Sequence, residues 1–188
     1  NGQYKGYSQI SHATSEFDVT DLVQDGENTV DVLVLKWCDG SYLEDQDKFR
    51  WSGIFREVYL LSRAAARLTD IAITAAPSKD YKSGHLTASL SFSSPVSYTA
   101  SLFDADGKAV ASVKDAPVDF TPDEITLWNA EKPYLYTLLI ETQNEAIAQR
   151  IGFRDIKISE KQELLINGVS VKIKGVNRHD THPVCGHA

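Results

Sequence analysis

The 188 residues carry a formal net charge of −7 with 42% hydrophobic and 24% charged residues, an ordinary balance for a globular chain able to bury one or two cores. The acidic balance, with no basic cluster to offset it, excludes nucleic acid as the expected partner, because such binding neutralises phosphates with Lys and Arg. No apolar run approaches the roughly 20 residues of a membrane-spanning helix, so no membrane partner is expected.

In chain order, the opening NGQYKGYSQ has neither the charged start nor the apolar stretch of a secretory signal. The expectation is a soluble protein, with cytoplasm and periplasm both open. The chain contains no Met and so reads as a fragment or processed product. FDVTDLV (residues 17–23) follows Ser15 and predicts a short helical turn. VDVLVLK (residues 30–36), after the turn signal Asp25-Gly26, is a largely apolar β-branched run of the kind buried on both faces of a sheet. FREVYLL (residues 55–61) alternates as a further strand. The character changes at RAAAR (residues 63–67), where a domain boundary is placed.

Beyond it, short strands are predicted at 70–75, 85–93, 97–104, 109–113, 134–142 and 146–152, with Asp106-Gly107 as a hairpin turn. About seven short strands in ninety residues fit an immunoglobulin-like sandwich without a bridging disulfide. The two cysteines, Cys38 and Cys185, lie near opposite ends and make no disulfide framework. ELLINGVSVKIK (residues 163–174) places Asn167-Gly168 between two apolar runs, a strong hairpin signal.

Two stretches carry chemistry. In WCDGSYLEDQDKFRWSGIFREV (residues 37–58), Glu44, Asp45 and Asp47 sit beside Phe49, Arg50 and Trp51, with Trp37 and Tyr42 upstream. Rings that stack on sugar faces and carboxylates that accept hydroxyl protons suit a polyhydroxylated ligand, and a loop on a rigid scaffold is where binding groups collect. A calcium site in the same acids lacks the required Asp-x-Asx-x-Asx-Gly spacing, and the plainer reading pairs Asp45 and Asp47 with Arg50 and Arg56. The second stretch, ending in NRHDTHPVCGHA, gathers His179, His182, Cys185 and His187. These are zinc-type ligands at no customary spacing, and the plainer reading has His179 capping a strand end. There is no Gly-rich phosphate loop and no Gly-x-Ser-x-Gly elbow. No carboxyl pair stands out as the two acids of glycoside hydrolysis, which lie about 5–5.5 Å apart for retention.

Taken together, four stretches resemble glycoside hydrolase family 2, and among its members the large bacterial β-galactosidases. They are SEFDVTDLV with GENTVDVLVLKW (within residues 15–37), DGSYLEDQDKFRWSGIFREVYLL (39–61), LWNAEKPYLYTLLIET (127–142), and GFRDIKI with LLINGVSVKIKGVNRHDTHP (within 152–183). The resemblance implies an all-β chain in three parts. Residues 1–63 would be the later part of a sugar-binding jelly-roll sandwich, and 64–154 an immunoglobulin-like β-sandwich. Residues 155–188 would be a β-hairpin lead-in and first strand of an absent TIM barrel.

It further implies a segment of an enzyme that hydrolyses terminal β-galactosides with retention. Both catalytic glutamates of such enzymes lie on later barrel strands, so the isolated segment is expected to be inactive. Asp47 matches the family aspartate that binds sodium and the galactose 6-hydroxyl. His179 matches the histidine at the end of the first barrel strand that contacts the galactose ring. Glu131 and Pro133 also match and read as structural, whereas the family's magnesium ligands lie in the barrel and no magnesium site carries over. Strand edges in residues 1–60 call for cover by the rest of the enzyme or another chain, and a homo-oligomer is expected. The readings that compete with this one are a non-enzymatic carbohydrate-binding β-sandwich module and a purely structural spacer.

Overall fold

The computed structural model describes residues 1–10, 13–43, 52–54, 56–179, 181–182, 184 and the backbone of 186–187. The chain divides into two compact units, Asn1–Leu60 with Gly175–Ala188, and Leu61–Lys174. All sheets among the described residues are antiparallel.

The Leu61–Lys174 unit holds ten strands: β1 (Leu68–Pro77), β2 (Gly84–Phe92), β3 (Tyr98–Phe103), β4 (Ala109–Lys114), β5 (Val118–Phe120), β6 (Tyr136–Thr142), β7 (Ala146–Ile151), β8 (Ile156–Ile158), β9 (Leu164–Ile166) and β10 (Val169–Ser170). One sheet has the order β1-β2-β5 and a second β4-β3-β6-β7, the three-plus-four arrangement of an immunoglobulin-like sandwich. A small third sheet runs β10-β9-β8.

Alternation along the strands builds the core. In β6, Tyr136, Leu138 and Ile140 are buried while their neighbours are partly exposed, the period of two that points successive side chains to opposite faces. Val118 and Phe120 of β5 alternate around exposed Asp119 in the same way. These residues join Leu68, Leu86, Ala100, Leu102, Ile151 and Phe153 in one apolar cluster. Each large aliphatic side chain in it contributes about 1.5–3 kcal/mol through removal from water.

The turns follow from local side-chain bonding. Asp104 accepts the N–H groups of Asp106 (3.0 Å) and Lys108 (2.8 Å) through Oδ1 and so closes the β3–β4 turn. The long β5–β6 connection is pinned by Tyr136, whose hydroxyl oxygen accepts the Thr126 N–H at 2.9 Å. A tyrosine near the start of this strand, bonded back to the preceding corner, is a recurrent device of such sandwiches. Gly84 is required by close approach, since a Cβ there would lie 2.7 Å from the ring of buried Phe153.

The strands expected at 70–75, 85–93, 97–104, 109–113, 134–142 and 146–152 are present with ends shifted by a few residues. Three-residue β5 and β8 were not expected, and they are too short to show a period. The helical turn expected at 17–23 is present as a single turn, with the N–H groups of Leu22 (2.9 Å) and Val23 (3.2 Å) donating to the Val19 carbonyl.

The first sixty residues differ from expectation. Their regular element among the described residues is a 3-10 turn, Asp39–Tyr42, and neither predicted strand forms. Val30, Leu33 and Leu35 are 80%, 84% and 71% exposed. The predicted strand at 55–61 starts on Phe55, outside the described residues, and residues 56–61 lie in no ladder. The physical reason is non-local. A β-branched run suits the pleat, but its backbone groups and both its faces need neighbouring strands before it becomes one. In the same unit, β11 (Thr181–His182) and β12 (Gly186–His187) form a minimal hairpin. Among the described residues no helix is long and apolar enough to cross a membrane.

Candidate functional site

The described part of the aromatic and acidic loop begins with Trp37, exposed, with the Lys36 ammonium 5.6 Å from its ring centroid. Cys38 opens the 3-10 turn. Its N–H donates to Ser41 Oγ at 3.0 Å, and the Ser41 N–H returns to the Cys38 carbonyl at 3.1 Å. The Leu43 N–H closes on the Gly40 carbonyl at 3.0 Å. Asp39 Oδ1 accepts from Gln9 Nε2 at 3.2 Å, which ties the turn to the N-terminal segment. Tyr42 is 86% exposed, an aromatic ring of the kind that stacks on a sugar. Residues 44–51 follow, so Asp47 and its neighbours Glu44, Asp45, Phe49, Arg50 and Trp51 lie outside the described residues.

His179 is exposed and belongs to the same compact unit as this loop. Its carbonyl accepts the Thr181 N–H at 2.9 Å, at the first residue of β11. His179 thus sits just ahead of a strand. His182 Nδ1 accepts the Val184 N–H at 3.2 Å. Cys185 lies outside the described residues, and among those described no three His, Cys, Asp or Glu side chains converge as a metal site.

In the sandwich unit, four carboxyl groups are held below their ordinary range, and each owes it to a structural bond. The Ser78 hydroxyl (2.6 Å) and then the Lys82 N–H lower Asp80. The Tyr98 N–H and the Ser97 hydroxyl, both 2.8 Å away, lower Asp115. The Leu68 N–H (2.6 Å) and the Arg63 guanidinium lower Glu145. The Lys157 ammonium (2.7 Å) and then the Tyr81 hydroxyl lower Asp155. A general acid needs the opposite shift, so these four groups fasten the scaffold rather than donate protons.

Sequence reasoning passed over this fastening. Arg63 and Glu145 stand 82 residues apart, and no local pattern announces such a pair. Glu131 and Pro133, structural by the resemblance, sit in the β5–β6 connection. Glu131 lies in a turn where Asn129 Oδ1 accepts its N–H (3.0 Å) and that of Lys132 (2.8 Å), and Pro133 follows directly.

Comparison with known proteins places both units. Residues 1–64 match the model described as glycosyl hydrolases family 2, sugar binding domain, and residues 66–154 match the model glycosyl hydrolases family 2. The whole chain aligns at 49% identity with a β-galactosidase of Actinobacillus pleuropneumoniae and at 44% with one of Staphylococcus xylosus, covering 19% of each. The chain thus spans about a fifth of the length of the curated relatives it matches. Among solved structures, a β-glucuronidase of Lactobacillus rhamnosus superposes with TM-score 0.57 at 29% identity, over 65% of this chain and 21% of that one. A β-glucuronidase of an uncultured Clostridium sp. gives TM-score 0.58 at 20% identity, over 64% and 21%, a likeness of fold alone.

Proposed function

The chain belongs to glycosyl hydrolase family 2, and from that premise we propose that it is the stretch of a β-galactosidase that carries the scaffold and one wall of the substrate pocket. The observation that carries the reading is the 49% identity to a β-galactosidase along the entire chain. The reaction is hydrolysis of terminal non-reducing β-D-galactosides with retention, through a covalent galactosyl-enzyme intermediate, with acid and nucleophile supplied outside these residues.

Within this reading, residues 1–63, 64–154 and 155–188 are the jelly-roll part, the immunoglobulin-like domain and the barrel lead-in. Asp47 accepts a galactose hydroxyl proton, and its carboxylate is a hard oxygen donor of the kind that suits sodium. His179 contacts the sugar ring from the segment leading into β11. Magnesium, where the whole enzyme uses it, binds to residues elsewhere. The exposed aliphatic residues Val30, Leu33, Leu35 and Leu60 support a further part of the reading, that the rest of the enzyme or another chain covers residues 1–60 in a homo-oligomer.

The test uses a whole enzyme carrying this stretch and a chromogenic β-galactoside. Asp47→Asn and His179→Phe each remove a charged or polar contact worth about 1.5–3 kcal/mol, so kcat/KM falls roughly ten- to hundredfold. Sodium titration lowers KM in the parent and leaves it unchanged in Asp47→Asn. The 188-residue chain alone gives no turnover. Unchanged kcat/KM in both variants overturns the site assignment. Galactose binding by the isolated chain, joined to a whole protein without glycosidase activity, replaces the enzyme with a carbohydrate-binding module.

A further inference from the structure

Between β9 and β10 stands Asn167-Gly168, which the sequence announces as a hairpin turn. The structure gives Asn167 more to do than turn the chain. Its backbone lies in the left-handed region at φ +52°, and every polar atom of its side chain is engaged. Oδ1 accepts the Asp155 N–H at 2.9 Å, and Nδ2 donates to the Trp128 carbonyl at 2.9 Å. The Asn167 N–H in turn donates to the Asp155 carbonyl at 2.8 Å.

The Trp128 N–H bonds the carbonyl of Phe153, a fully buried core residue, at 2.9 Å. A single side-chain amide therefore joins the hairpin to the start of β8 and to the long β5–β6 connection. Gly168 is covered as well. A Cβ there would meet the Tyr81 hydroxyl at 3.1 Å, and that hydroxyl donates to Asp155 Oδ2 at 3.1 Å.

Asn followed by Gly is also the dipeptide with the least steric hindrance to cyclisation. The Gly nitrogen attacks Asn Cγ, a new N–Cγ bond forms, the Cγ–Nδ2 bond breaks, and ammonia leaves with the proton that the nitrogen gives up. Water then adds to either carbonyl of the succinimide ring and opens it to Asp or to isoaspartate. In the folded chain that attack requires Cγ to swing over the Gly168 nitrogen, away from the Asp155 N–H and the Trp128 carbonyl that hold the side chain.

We propose that Asn167-Gly168 is a deamidation site kept closed by the fold, and that its conversion releases the β9–β10 hairpin from the sandwich irreversibly. Either product disables the joint. A carboxylate has no N–H for the Trp128 carbonyl and sets oxygen against oxygen. Isoaspartate also adds a backbone carbon to a two-residue turn, which shifts the Val169↔Ile166 and Ser170↔Leu165 register. Reaction follows only from the locally opened hairpin, so its rate reads the opening equilibrium of this part of the unit.

The experiment incubates the 188-residue chain in mildly alkaline buffer beside a free peptide of the same Asn167-Gly168 stretch. Deamidation and isoaspartate are quantified by peptide mass spectrometry. Asn167 in the folded chain reacts at least about tenfold more slowly, the equivalent of about 1.4 kcal/mol of protection. Equal rates overturn the closed site. A second arm measures hydrogen exchange in Asn167→Asp, where amides of residues 155–171 exchange at least about tenfold faster while those of β6 keep their protection. Unchanged protection in 155–171, or a loss that extends equally to β6, overturns the local release.

Discussion

Glu145 is the place where one side chain decides how the start of the sandwich is held. It lies in the β6–β7 turn, where its N–H donates to Thr142 Oγ1 at 3.1 Å, and it reaches back to the entrance of β1. Oε1 accepts the Leu68 N–H at 2.6 Å, while Oε2 takes both the Nη2 (2.7 Å) and the Nε (3.1 Å) of Arg63. Arg63 Nη2 also donates to the Leu68 carbonyl at 2.7 Å, which closes the loop of bonds. Replacing Glu145 with Ala orphans the N–H of Leu68, a residue 3% exposed, at a cost of about 1–3 kcal/mol. The ion pair is worth less, about 0–1 kcal/mol, because the Arg63 side chain retains 30% exposure. The expected loss is about 2–3 kcal/mol, read as a lower urea midpoint at unchanged slope. A double-mutant cycle with Arg63→Ala should return a coupling of no more than about 1 kcal/mol.

The pH dependence has a definite sign. The Glu145 carboxyl is lowered from its ordinary 4.5, so the folded state binds its proton less readily than the unfolded chain. Its stabilisation is fully present above pH 4.5 and drains as pH falls below that through the lower folded value. Asp80, Asp115 and Asp155 lose theirs in acid too, so the informative quantity is the gap between the parent and Glu145→Gln. That gap narrows in acid. A Glu145→Ala variant within about 0.5 kcal/mol of the parent at neutral pH, or a gap that widens on acidification, would refute the reasoning.

Two further substitutions probe the core and its corner. Leu138→Ala empties a fully buried position in the middle of β6 and should cost about 2–5 kcal/mol in urea unfolding; a loss below about 1 kcal/mol would mean the sheets do not pack as described. Tyr136→Phe keeps the ring contacts with Tyr134 (5.1 Å) and Phe153 (5.2 Å) but withdraws the acceptor from the Thr126 N–H. The expected loss is about 0.5–1.5 kcal/mol, with faster exchange at the Thr126 amide, and unchanged exchange there would count against the corner bond.

What could be read in advance divides by how local its cause is. YLYTLLIET announces β6 because its alternation is written into consecutive residues, and Asp106-Gly107 announces its turn because Asp104 bonds only two and four residues ahead. The hairpin at Asn167-Gly168 belongs to the same class. The three-residue strands β5 and β8 do not, since VDF and IKI become strands through their pairing with β2 and β9. VDVLVLK marks the limit from the other side. It has the composition of a buried strand, yet Val30, Leu33 and Leu35 stand exposed without a ladder, because composition selects residues for a sheet and only a neighbour makes the sheet.

The candidate site follows the same rule in sharper form. The acids and rings of residues 37–51 suggest a polyhydroxylated ligand by type alone, and type says nothing about which oxygen faces which hydroxyl. What singled out Asp47 and His179 was resemblance, in which two positions 132 residues apart acquire meaning together. Geometry along the described chain adds a separate constraint. His179 stands exposed at the entrance to β11, in the unit that also carries the Trp37–Tyr42 segment. In the sandwich, by contrast, Glu145, Asp155 and Asn167 each spend their polar side-chain atoms on structural bonds. Groups so fully engaged cannot reorganise around a ligand without breaking their own bonds. Within the reading proposed above, recognition falls to exposed side chains such as Tyr42 and His179, and the sandwich carries the scaffold.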